Sequence, residues 1–379
     1  MAIICQSDET LDAAEQFAVF EGLNLEWQRI QNLEDLGSIE NFDACVIEAE
    51  HASASMHMVQ ILRESRQSHV LPLIVLLPQL SAYQKVLCHD WDFVLPCLSP
   101  LSSHDFIPGL KKVVQLVRKK SKILKLRDDI NLLIDEGRHL DALPLINKYG
   151  EATRDSFRSD LLRAKSFLAM RDLRQAHDAA VAAVQANKQS LAARSVLIQV
   201  YLDMGLPEKA QELVEKSLKL APMHALFHAY DGHLAFVRGS LEAAHVSFEY
   251  SVGLDSRLQR GLMGWIAVKL LRGELQEASS RIALAGPELQ RTIHLYSLSL
   301  GQLARWEEAE KLIMESLKLM INQKDVYKVW MNLGLQARKV NEWSKALHFF
   351  RLCVLVAPAG YDKVQSLIHD AEVHLRKHA

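Results

Sequence analysis

The sequence predicts a two-part chain. An open, doubly wound α/β unit on a five-stranded parallel sheet spans residues 1–120, and an all-α array of repeated helix pairs follows over residues 121–360. Three observations carry this. Up to residue 120, five short apolar runs alternate with helical patterns, as in a parallel sheet covered on both faces. Beyond it the patterns are helical only, and small residues recur at a nearly fixed spacing. Between the two the charge changes: residues 1–110 hold 16 acids and 4 bases, whereas residues 111–127 hold 8 bases and no acid.

The leading unit reads in order as "AIICQ", a helix over "ETLDAAEQFAVFEGL", "LEWQRI", "DACVIE", a helix over "SASMHMVQILRESRQS", "LPLIVLLP", a helix over "SAYQKVLCHDW", "DFVLPCLS" and a helix over "SHDFIPGLKKVVQLVRKK". In an open parallel sheet, ligands and chemistry sit at the carboxyl ends of the strands. Glu48 ends the third apolar run and falls at that edge. On the basic stretch, Val113, Val114, Leu116, Val117, Ile123, Leu124 and Leu126 form one apolar helix face and the bases a solvated one, which predicts a linker helix into the first repeat.

In the second part, Ala142, Ala176, Ala210, Ala244, Ala278, Ala309 and Ala346 each lie one turn into an amphipathic helix, spaced 34, 34, 34, 34, 31 and 37 residues apart. Gly137, Gly205, Gly239 and Gly273 each stand five residues before their alanine, where a turn needs positive φ. The alanine is small because two helices cross there. Trp330, Leu333, Gly334, Ala346, Phe350 and Pro358 in the last copy, Tyr201 with Pro222, and Gly232 with Phe248 fall on signature positions. The array resembles the tetratricopeptide repeat. Seven copies are expected, over about 123–156, 157–190, 191–224, 225–258, 259–289, 290–323 and 327–360, the fifth shortened around "IALAGPELQ", with a capping helix over 361–379.

The resemblance implies a superhelix whose first helices line a concave groove for a peptide or a partner protein. The lining positions it implies are Leu161, Lys165, Leu168, Gln199, Leu202, His233, Phe236, Met263, Leu270, His294, Leu298, Met331, Leu335 and Arg338. This mostly apolar set suits an amphipathic helix or an apolar patch, or contacts with the α/β unit or a second copy. Arg127 and Asn131 match the start of the carboxylate clamp of chaperone-binding relatives, but Leu162, Ala192 and Val196 stand where the rest of the clamp is needed.

The order and lengths of the leading runs resemble the receiver domain of bacterial response regulators, a flavodoxin-like fold. "FDACVIE" looks like the strand that ends on the phosphorylated aspartate, and "SPLSSHDFIPGL" like the segment where a Lys-Pro pair precedes the last helix. The resemblance implies an Asp nucleophile, an acidic pair for Mg²⁺, a hydroxyl that follows the phosphoryl group and a Lys that neutralises its charge. Here Glu48 holds the nucleophile position, Leu77 the hydroxyl position, and Ser99 the lysine position, with only Pro100 retained. Gln6 and Ser7 fall at the acidic pair, or Asp8 enters it on a shift of one residue. Glutamate is longer by one methylene, and without lysine or hydroxyl the switch has no mechanism. Glu48 stands open between a carboxylate mimicking a phosphorylated state, a solvated strand end and an unusual acceptor.

The remaining features exclude more than they identify. The formal net charge of -2 and 49 % hydrophobic residues describe an ordinary globular chain with no whole-chain reason to bind nucleic acid. The longest apolar run, "VLPLIVLLPQL", is too short for a membrane span. Five scattered cysteines read as buried thiols in a reducing compartment, so a cytoplasmic location is expected. His224 and His228 share a helix face without an evident third ligand, and "CHDWD" (88–92) clusters a thiol, an imidazole and acids at a helix end. Neither is read as a site, and no metal or cofactor is expected.

The expectation is a bacterial, non-enzymatic scaffold. A pseudo-receiver docks a signalling protein or its own kind and the groove binds a partner protein, in two-component-linked regulation, with motility or polarity as possible outputs. The alternatives are a phosphorylatable response regulator with the repeats as output, an enzyme with an unseen site, or a repeat protein that regulates a kinase or a small GTPase.

Overall fold

Short parallel strands form where the apolar runs lie: β1 (Ala2–Ile4), β2 (Gln28–Arg29), β3 (Cys45–Ile47), β4 (Leu73–Leu77) and β5 (Val94–Leu98), in the order β2-β1-β3-β4-β5. The computed structural model describes residues 2–4, 8–20, 28–29, 44–48, 71–77, 94–98, 103–118, 122–286, 288–319, 325–358 and 363–378, with Ser55, Met58, Val59, Leu62, Gln84, Cys88 and Asp90. Val46 of β3 lies opposite Ile3 of β1 and Ile74 of β4. Successive side chains point to opposite faces of a strand. Cys45, Ile47, Leu73, Val75 and Leu77 therefore join the helical residues Val59, Leu62 and Cys88 in one apolar layer. Val46, Ile74, Leu76 and Cys97 join Ala14 of α1 (Asp8–Phe20) and Phe106, Leu110 and Val113 of α2 (Ser103–Arg118) in the other.

Among the described residues the strands are short and the chain is mostly helical. β2 is an edge strand whose described residues, Gln28 and Arg29, pair with Ala2 and Ile3 of β1. The junction at residues 119–121, where a continuous linker helix is expected, lies outside the described residues.

Seven helix pairs follow: α3 (Lys122–Asp135) with α4 (His139–Thr153), α5 (Ser156–Ala169) with α6 (Leu173–Ala186), α7 (Leu191–Asp203) with α8 (Pro207–Leu220), α9 (Ala225–Val237) with α10 (Leu241–Leu254), α11 (Gln259–Arg272) with α12 (Leu275–Ile282), α13 (Leu289–Gln302) with α14 (Trp306–Leu319), and α15 (Val326–Lys339) with α16 (Trp343–Val356). Each of the seven recurring alanines is 0 % exposed. Five residues before each, the backbone is left-handed: Gly137 (φ 74), Arg171 (φ 62), Gly205 (φ 70), Gly239 (φ 81), Gly273 (φ 80), Ala304 (φ 56) and Asn341 (φ 65). The turn geometry thus persists where glycine does not. Ala304 bears a Cβ in a region that disfavours it, so Ala304→Gly raises stability by about 1 kcal/mol and Gly205→Ala lowers it by a similar amount. Chemical-denaturation midpoints check both.

The chain divides into two compact units, Met1–Leu213 and Val214–Ala379, with the boundary inside α8. In the first, Ile130, Ala142, Ile146, Tyr149 and Leu162 form one helical core, and Phe157, Ala164, Ala176, Ala180, Ala193 and Val200 form the next. In the second, one core runs from Phe236 to Val364. Ring-into-slot contacts lock it. A Cβ on Gly232 would stand 2.8 Å from the Phe248 ring, one on Gly264 2.3 Å from it, and one on Gly334 2.4 Å from the Phe350 ring. The last helix, α17 (Lys363–His378), buries Val364 and Ala371 and stacks His374 on Trp343 at 3.9 Å. It covers the apolar face of the last pair.

Candidate functional site

At the carboxyl edge of the sheet, β3 delivers Glu48, which is partly buried. Thr10, in the first turn of α1 and 7 % exposed, donates its Oγ1 hydroxyl to Glu48 Oε2 at 2.5 Å. The carboxylate is therefore fastened to α1. Leu77, at the end of β4, is fully buried in the apolar layer and offers no hydroxyl. Gln6, Ser7, Ser99 and Pro100 lie outside the described residues. Among the described residues, no group of three or more His, Cys, Asp or Glu side chains is placed to hold a metal ion.

The groove positions separate into core and surface. In the first unit Leu161 is 7 % exposed and belongs to the core, Leu168 and Leu202 are partly buried, Lys165 is exposed, and Gln199 Nε2 donates to Asp203 Oδ1 at 2.7 Å. In the second unit Phe236 and Leu270 are 0 % exposed. These three are interior residues rather than the open lining that the repeat pattern implies.

For Phe236 and Leu270 the cause is local to α9–α14. The fifth pair is short: α12 has only 8 residues. The fourth pair then reaches the sixth directly. His233 Nδ1 lies 3.1 Å from the Tyr296 hydroxyl, Phe236 stacks on the Tyr296 ring at 4.2 Å, and the Arg305 guanidinium donates to the Gly239 carbonyl. α11 runs beneath, buried from Leu262 to Leu271 apart from the partly buried Met263. The inner face of these pairs is filled by the chain's own side chains. Burial pulls the His233 imidazole down to about 4, helped by the Arg260 charge, and pushes the Tyr296 phenol up.

At the turn after α11, the buried Lys269 lies 2.6 Å from Glu274, 2.9 Å from Glu277 and 3.7 Å from Glu249. Burial opposes its charge, but the hydrogen bonds it donates to Glu274 and Glu277 outweigh that and raise it above the ordinary lysine value. Hydrogen bonds from Arg272 and then Lys269 hold the Glu274 carboxyl down at about 2. Glu274 thus contributes stability above its unfolded value of 4.5, and this is lost as pH falls toward 2. Thermal melts of wild type and Glu274→Gln between those pH values test it: the variant shows the shallower acid dependence.

Apolar exposure remains farther along. α13 and α15 pack side by side; Leu295 on α13 is 54 % exposed and Leu335 on α15 is 41 % exposed. Leu298 and Met331 lie partly buried against the core, and His294 and Arg338 are partly exposed, with Arg338 3.7 Å from Asp370 of α17. Leu295 is absent from the positions the repeat pattern implies; only its place next to His294 signals it.

Sequence reasoning also passes over Asp90. Its Oδ2 accepts from the Leu191 amide at 2.7 Å and the Ala192 amide at 3.0 Å, at the start of α7. The histidine pair has local roles: His228 Nε2 lies 2.7 Å from the Pro222 carbonyl and His224 packs on Phe227. Burial pushes the Cys88 thiol up to about 12. Among the described residues, no helix is long and apolar enough to cross a membrane.

No family model matches the chain, and no curated protein matches it. Among solved structures it is similar to a thermophilic tetratricopeptide-repeat protein of Thermus thermophilus, at 18 % identity over 47 % of this chain and 98 % of that one, with a TM-score of 0.40. It is also similar to a tetratricopeptide-repeat protein of Parabacteroides merdae, at 14 % identity over 66 % and 98 %, TM-score 0.41. A third is YrrB, a tetratricopeptide-repeat protein with an unusual peptide-binding site, at 16 % identity over 51 % and 97 %, TM-score 0.33.

Proposed function

We propose that the chain is a non-enzymatic scaffold for protein–protein interaction. Its helix pairs bind a partner protein, and its α/β unit is a pseudo-receiver that docks a signalling protein or a second copy in two-component-linked regulation. The observation that carries the reading is the pair of exposed leucines, Leu295 and Leu335, on neighbouring first helices. With the inner face of the fourth to sixth pairs filled, this is where an apolar partner surface finds purchase.

The strand order β2-β1-β3-β4-β5 supports the receiver-like reading, because it is the flavodoxin-like order. The Thr10 hydrogen bond supports the loss of phosphate chemistry, because it fixes the Glu48 carboxylate at the nucleophile position. Affinity recovery from the native cell tests the scaffold reading. Wild type recovers a partner, Leu335→Glu and Leu295→Glu reduce recovery at least about tenfold, and Val246→Glu, on the 61 % exposed side of α10, leaves it intact. Equal recovery by all four chains would contradict it.

A further inference from the structure

The first helix of the third pair is capped from a distant part of the chain. An α-helix begins with four amides that lack an intrahelical partner. In α7 the Ala193 amide donates to Ser190 Oγ at 3.0 Å and the Arg194 amide to the Ser190 carbonyl at 3.3 Å, both local. The Leu191 and Ala192 amides donate instead to Asp90 Oδ2, 101 and 102 residues upstream. By contrast, the side-chain cap of α5 is local, from Asp155 to the Arg158 amide at 3.0 Å.

The site is enclosed: Ser190 is 0 % exposed and Leu191 2 % exposed, while Asp90 is partly buried beside the fully packed Cys88. A carboxylate on two amides at a helix start gains from both the hydrogen bonds and the helix dipole. Asp90 is a helical residue of the α/β unit, and its carboxylate reaches the start of the third pair.

We propose that Asp90 is an intramolecular latch. It holds the α/β unit on the third helix pair in one arrangement, and its release separates the two and uncaps α7. A protein docking on the α/β unit that displaces Asp90 then acts on the start of α7. This goes beyond the scaffold reading and does not depend on which partner the pairs bind.

Spin labels on Gln115→Cys in α2 and Gln189→Cys before α7, both exposed, report the separation in the full chain. Wild type gives one narrow distance distribution. Asp90→Ala broadens it and lengthens its mean, and hydrogen exchange at the Leu191 and Ala192 amides rises at least about tenfold. Asp90→Asn, whose amide oxygen still accepts, stays close to wild type. Leu191→Pro attacks the latch from the other side and leaves the α/β unit untouched: proline is tolerated at the first helical position, and Ser190 already has φ -60 and ψ 119. It too broadens the distribution. Wild-type distances in both Asp90→Ala and Leu191→Pro overturn the proposal, even with faster exchange, because Asp90 would then be a cap and no latch.

Discussion

Phe248→Ala lowers the stability of the C-terminal unit by about 3–5 kcal/mol, the largest loss expected of any single truncation here. The ring is 0 % exposed and fills a slot between two helices that lack side chains where it enters. Gly232 of α9 and Gly264 of α11 present bare backbone to its two sides, with Cβ positions that would stand 2.8 and 2.3 Å away. Truncation leaves a void that three helices cannot close without leaving their crossings. The converse change is also harmful: Gly264→Ala drives a methyl into the ring and costs about 3 kcal/mol. The two sites share one contact, so the double variant Gly264→Ala/Phe248→Ala loses less than the sum of the single losses. Chemical denaturation followed by tryptophan fluorescence measures all three chains, since Trp265, Trp306, Trp330 and Trp343 report on this unit. A loss under about 1 kcal/mol for Phe248→Ala would show that the slot is loosely packed.

The C-terminal unit weakens as pH falls from 6.5 toward 4. Burial holds His233 neutral down to about 4, from an ordinary value of 6.5, and His224 behaves in the same way. Between those values the unfolded chain binds protons that the folded chain does not, so stability falls with falling pH. Each histidine contributes about 2 kcal/mol of that loss, allowing for screening at a partly buried ring. His233 sits where the fourth pair meets the sixth, against Tyr296 and Phe236 and near Arg260, so its protonation places like charges together at the closure. Denaturation midpoints at pH 7 and pH 4.5 measure the slope. His233→Gln flattens it whatever it does to absolute stability, and an unchanged slope would remove His233 from the account.

The helix pairs are legible because their constraint is local and periodic. A fully buried alanine and a left-handed residue five positions earlier recur in every pair. At Arg171, Ala304 and Asn341 no glycine marks the turn, and the alanine alone locates it. The short α12 is foreshadowed by the 31-residue spacing before Ala309, but its consequence is not. Whether the fourth pair meets the sixth depends on how far one helix holds its neighbours apart. Phe236 and Leu270 therefore sit on an open face by repeat position and in the core by packing. "CHDWD" reads as a helix end, and nothing near it signals that the partner of Asp90 lies 101 residues away. Glu48 is legible as an acid at the end of a buried strand; Thr10, which fastens it, lies 38 residues earlier with no motif to join them.

The central claim is that the α/β unit and the helix pairs work through contact surfaces, with phosphoryl chemistry lost at the sheet edge. Incubation of the full chain with a small acyl-phosphate donor and Mg²⁺, followed by intact-mass and peptide mass spectrometry, tests it most directly. The account predicts no phosphorylated species for wild type or for Glu48→Asp, since neither restores a lysine at Ser99 or an acidic pair at Gln6 and Ser7. A phosphoryl group on residue 48 in wild type would contradict it.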